Sequence, residues 1–198
     1  MKKILYAGLI LTLILCVFIL TGCDNNKEGE DVGTVGENEQ VLTYDLGDGD
    51  AIQAKFETPK NADIEITVDP SDESHVVVKN EKEDYTMDIY LGDEMEETFL
   101  AGQDSDKEEE GYKETKYGNF NGYYYKFGEG SIYGNIVLDT ETYNVYTYIF
   151  YTLDVGMDAK KSVEDIYKSK DIQKILNSFG FRFITLEEEP EETEEVAE

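Results

Sequence analysis

The side chains able to do chemistry in this 198-residue chain are unevenly stocked: 45 acids and fifteen tyrosines stand against two cysteines and a single histidine. Paired carboxylates serve acid–base hydrolysis or hold hard cations, and tyrosine rings offer broad amphipathic contact. Spacing decides which of these is open. A Ser-His-Asp or Cys-His arrangement would have to use His75, which sits beside Val76-Val77-Val78 in an alternating segment, the setting of an exposed or hydrogen-bonded structural residue. Histidine-rich zinc sites are excluded by count. The glycines Gly29, Gly33 and Gly36 follow no strand, so they form no phosphate loop.

The acids crowd two places: Asp45, Asp48 and Asp50 in one turn, and Asp104, Asp106, Glu108, Glu109 and Glu110 in one loop. Neither is an EF-hand, since twelve positions counted from Asp106 end at Tyr117 and not at a glutamate. The expectation is no catalytic residue, no metal ligand set and no cofactor, hence no enzyme. Two alternatives stay open: a carboxylate-dependent hydrolase of surface polymers, and a calcium-responsive protein with a dissociation constant of roughly 0.1–1 mM.

Tyrosines are the stronger signal, with ten of them between Tyr112 and Tyr151. Rings on strands suit recognition of a protein or a small ligand at low entropic cost. Tyr124, Tyr133, Tyr146 and Tyr148 are the candidate partner-binding residues. Equally, aromatics favour strands, and these rings can simply fill a layer between sheet and helix.

Lys2 and Lys3 precede an uncharged run from Ile4 to Leu20, which closes with Leu20-Thr21-Gly22-Cys23. A basic start, an apolar stretch and small residues before a cysteine resemble the signal of exported bacterial lipoproteins. The resemblance implies that 1–22 is a signal peptide and that Cys23 becomes the acylated first residue. It would hold the protein at the extracytoplasmic face of the cell membrane, so that the membrane is one partner through the lipid. Cys16 would leave with the signal and no thiol would remain for a disulfide or a nucleophile. Two buried acyl chains, at about 0.8 kcal/mol per methylene, make such an anchor stable.

Residues 23–40 are acidic and nearly free of apolar side chains, and read as a flexible tether; 187–198 carry eight glutamates and read as a disordered tail. Between them, 41–186 form one domain with 31 acids against 14 bases. Arg182 is the only arginine. Nucleic acid is thereby excluded as a partner, because phosphate contacts need clustered bases.

Period-two alternation marks strands at Val41–Leu46, at Ile52, Ala54 and Phe56, at Ile64, Ile66 and Val68, at His75–Lys79 and at Tyr85–Leu91. A short helix is expected from Met95 to Ala101, with a charged loop from Gly102 to Gly111. Tyr112–Tyr117, Gly122–Phe127, Ile132–Leu138 and Tyr143–Leu153 then form a meander. The last of these is apolar on both faces and belongs in mid-sheet. Ser162 and Asp165 make a capping box. The stripes Val163, Ile166, Tyr167 and Ile172, Ile175, Leu176, Phe179 lie on opposite faces of one helix, which predicts a break at Lys168–Lys170, a cap at Ser169 and an end at Gly180.

The fold class is therefore α+β, an antiparallel sheet packed by helices. The closing Ile175–Phe179 segment, and Gly122–Phe127 ahead of Leu138–Glu141, resemble the PsbP-like family over Val41 to about Phe183. That resemblance implies an α/β/α sandwich and a non-catalytic auxiliary or binding role, without active-site residues. The chain departs from many relatives in having no tryptophan.

Overall fold

The computed structural model describes residues 36–139 and 145–185. The signal segment, Cys23, most of the tether, the Leu138–Glu141 turn beyond Asp139, and the acidic tail lie outside the described residues.

Ten strands and three helices make up the described chain, and the fold is α+β with antiparallel sheets packed by helices. β1 (Glu39–Gly47), β2 (Asp50–Glu57) and β10 (Gly180–Thr185) form a small sheet in the order β1-β2-β10. The other seven are β3 (Glu65–Asp69), β4 (Asp72–Asn80), β5 (Tyr85–Met95), β6 (Lys113–Tyr117), β7 (Phe120–Phe127), β8 (Ser131–Asp139) and β9 (Val145–Val155). They run in the order β3-β4-β5-β9-β8-β7-β6. Helix α1 spans Glu96–Asp106, α2 Val163–Tyr167 and α3 Lys170–Asn177.

Every strand expected from alternation is present, and β9 lies in mid-sheet between β5 and β8. The β1–β2 turn needs left-handed backbone at Gly47, Asp48 and Gly49, which glycine and aspartate tolerate. The break in the closing helix is also there. Ser162 Oγ accepts from the Asp165 amide at 3.2 Å, and Ser169 Oγ from the Ile172 amide at 3.4 Å.

Four features differ from the sequence expectation. β1 begins at Glu39, paired with Glu57, inside the segment read as tether. The sheet is divided in two. Gly180 opens β10 instead of ending the helix, and Arg182 hydrogen-bonds Gln53 on the neighbouring strand at 2.8 Å. Finally, α1 runs on to Asp106 through the segment expected as a loop. Burial of Phe99 and a hydrogen bond to Asp106 hold its last turns, so tertiary contact overrides a run of weak helix formers.

The seven-stranded sheet has two unlike faces. One carries Val76, Val78, Met87, Ile89, Ile136, Ile149 and Leu153, all essentially solvent-free. It packs in one cluster with Ile52 and Phe56 of the small sheet and with Ile166, Ile172 and Leu176 of α2 and α3. Each such side chain contributes roughly 1.5–3 kcal/mol by leaving water. Within that layer the hydroxyls of Tyr117 and Tyr151 are 2.5 Å apart, and those of Tyr117 and Tyr167 2.9 Å. The opposite face is aromatic, and among the described residues α1 and Tyr112 just after it cover part of it.

Candidate functional site

Residues that pair across antiparallel strands share a face. The pairs Tyr90↔Phe150, Gly92↔Tyr148 and Glu94↔Tyr146 join β5 to β9, and Asn135↔Phe150 and Tyr133↔Thr152 join β9 to β8. Tyr123↔Asn135 and Tyr125↔Tyr133 continue the same face onto β7. The outcome is a continuous aromatic surface crossing four strands.

Helix α1 lies on one end of it. Phe99 enters the surface, stacked on Tyr146 at 4.7 Å and tilted against Tyr148 at 5.1 Å. Beyond the helix the rings stand open. Tyr133 stacks on Phe127 at 4.8 Å and meets Phe150 edge-on at 6.0 Å, and Tyr90 is tilted to Phe150 at 6.2 Å.

Between α1 and these rings is a cleft of about 380 Å³. Tyr90, Tyr148, Phe150 and Phe99 form its aromatic walls, and Gly92 and Gly102 leave room for it. β4 pairs with β5 only as far as His75↔Tyr90, so the cleft reaches round the β5 edge to Tyr44 of β1. Three carboxylates line it, Asp93, Glu94 and Asp106, and no lysine or arginine does.

The polar groups are tied to one another. Asn135 Nδ2 donates to Tyr123 Oη at 2.8 Å, and Tyr123 Oη donates to Asp106 Oδ2 at 2.9 Å. Burial, then the Asp106 hydrogen bond and charge, push the Tyr123 phenol far above its ordinary value. Tyr44 is raised as well, by burial first and then by its hydrogen bond to Asp93. Both phenols therefore stay neutral donors to fixed carboxylates. The three acids are half-buried, none of them fully enclosed.

Of the four tyrosines singled out from the sequence, Tyr133, Tyr146 and Tyr148 share this face, and Tyr148 lines the cleft. The structure does not bring Tyr124 to them. It pairs with Gly134 and packs on Tyr167 of α2 at 4.6 Å, on the other side of the sheet. Alternation is the reason: Tyr123 and Tyr125 point one way and the residue between them the other. Tyr90, Phe99, Phe150 and Glu94 were not singled out, and Asp106 only as one of an acidic loop cluster, although the alternation Tyr90, Gly92, Glu94 opposite Tyr146, Tyr148, Phe150 carries the signal.

His75 is the hydrogen-bonded one of the two settings expected for it. Its Nε2 donates to Asp88 Oδ1 at 2.9 Å, and its ring stacks on Tyr90 at 4.1 Å. Ser71 Oγ donates to Asp69, not to the imidazole, unlike a serine poised for attack. The acidic clusters also disperse: Asp45 accepts from the Gly47 amide, Asp50 from Thr185, and Asp104 pairs with Lys107 at 2.8 Å. Among the described residues no group of three metal-ligating side chains converges.

No family model matches the chain, and no curated protein does. One solved structure with a similar fold is LpqN of Mycobacterium tuberculosis, a protein involved in cell envelope biogenesis. It is 12% identical, the match covers 73% of this chain and 91% of that one, and the TM-score is 0.42. A likeness of that strength carries no argument about what this chain does.

Proposed function

We propose that this is a lipid-anchored, extracytoplasmic binding protein whose aromatic sheet face, centred on the cleft beneath α1, takes up a partner or ligand at the cell-membrane surface. The location rests on Leu20–Cys23 and on the apolar run before it. The PsbP-like resemblance, also read from the sequence, favours a binding or auxiliary role over catalysis.

The observation that carries the binding role is the contrast between the two faces. One face is closed by two helices and a second sheet, whereas Tyr90, Tyr148 and Phe150 keep solvent contact around an open cleft and Tyr133 does so beside Phe150. Clustered aromatics that stay wet fit recognition better than core filling. Lipid on Cys23 would confine the domain near the membrane, and a tether of about 15 residues ahead of β1 would let it search roughly 19–23 Å.

Mild crosslinking of the lipidated protein in its own membranes, followed by co-purification, tests this reading. A stoichiometric partner that disappears in a Tyr133→Ala/Tyr148→Ala variant of unchanged fold is the expected result. A partner retained by that variant would move binding to another surface. Cys23→Ala should release the protein without unfolding it, and a variant still membrane-bound would overturn the anchor.

A further inference from the structure

Resting on that binding reading, we infer that the cleft takes an organic ammonium group, a cationic head group caged by aromatic rings and held by carboxylates. The walls and the field both point to it. Tyr90, Tyr148 and Phe150 line an open volume, and a quaternary or alkylated ammonium is attracted to the negative face of such rings. The dehydration cost of a large, weakly hydrated ammonium is smaller than that of a compact metal ion, so rings can replace its water.

Charge selects the sign. Asp93, Glu94 and Asp106 line the cleft with no base among its lining residues. Helix α1 adds to them: Gly102 and Asp106 bring its C-terminal end to the cleft, and its last turn has no basic residue. That end of a helix favours a cation. Asp106 is oriented by the Tyr123 hydroxyl and Asp93 by Tyr44, whereas Glu94 lies beside Gly92 and Tyr148 on the cleft face.

Size selects the kind of cation. A cleft of about 380 Å³ is far larger than a bare ion needs, and the carboxylates do not converge as metal ligands would. A trimethylammonium group, or a longer amine threaded under α1, matches both the volume and the spread of charge.

The full chain in a maltoside detergent is titrated with choline and, separately, with its neutral isostere 3,3-dimethylbutan-1-ol, following saturation transfer from protein aromatic protons to the methyl groups. Choline is expected to bind and the alcohol at least tenfold more weakly. Tyr148→Leu and Glu94→Gln should each weaken choline by about three- to tenfold. Because Tyr148 also packs on Phe99, Gly102→Leu serves as a second variant. No atom lies within 4 Å of a Cβ built there, so it should obstruct the cleft while favouring the helix. Equal binding of the alcohol, or choline binding untouched by Glu94→Gln and Gly102→Leu, would overturn the inference. A partner captured through the aromatic face by a protein that does not bind choline would overturn it too, and would leave the binding reading intact.

Discussion

The two faces of the seven-stranded sheet are built from the same strands, often from adjacent residues, yet they do different things. Ile149 is solvent-free and Phe150 half-exposed; Tyr151 is enclosed and Tyr148 lines an open cleft. On the closed face most polar groups find partners inside, as in the hydroxyl chain through Tyr117, with the buried Thr147 hydroxyl an exception. On the open face, the Tyr123 hydroxyl serves to fix the Asp106 carboxylate at a surface. Stability is concentrated on one side, which leaves the other free to carry rings and charge that a core would not tolerate.

That division predicts a graded set of effects. The largest is alkaline unfolding. Burial pushes Tyr85 up to about 12 and raises Tyr117, Tyr151 and Tyr167 as well, all on the closed side. Below pH 10 both folded and unfolded chains hold these protons and the stability is intact. Above pH 10 the unfolded chain releases them first, so stability falls as the pH rises through the folded values. A step of tyrosinate absorbance worth these four phenols should therefore accompany the loss of near-ultraviolet dichroism, and unfolding with no such step would contradict the burial.

Next comes cavity formation. Ile149→Ala should cost about 3 kcal/mol in urea unfolding, and Phe150→Ala, one residue on, less than half of that. Equal costs would erase the distinction between the faces. Gly134→Ala follows at about 2 kcal/mol, since its methyl group would collide with Tyr151 and come within 2.7 Å of the Tyr123 carbonyl. Gly102→Ala, over the cleft, should instead be neutral or stabilising. The smallest effect is Ser169→Ala, about 1 kcal/mol through loss of the cap that separates α2 from α3.

Much of this was legible in the sequence. Ile52, Ala54 and Phe56 alternate, and Ser162 opens the first helix while Ser169 stands where opposed apolar stripes require a break, so the strands and the helix pair follow from local rules. β10 was missed although Phe181 and Phe183 alternate around Arg182, because the glycine ahead of them reads as a helix stop. The end of α1 was missed because a distant contact, the hydrogen bond from Tyr123 to Asp106, holds the Gly102–Asp106 end. The candidate site was half-legible. Tyrosine clustering located the aromatic face, but sidedness depends on register: one residue of offset sends Tyr124 to the other side of the sheet. The cleft also needs a neighbour from β1 and the place where β4 stops, and neither is encoded near Tyr148.

The most direct test of the central claim, that the open face binds and the closed face stabilises, is a charge reversal in the cleft. Glu94→Lys is half-exposed and should shift the melting temperature by no more than about 2–4 °C. The account predicts that the lipidated variant loses its crosslinked membrane partner at that unchanged stability. A variant that keeps the partner in full, or that loses it only by unfolding, would contradict the claim.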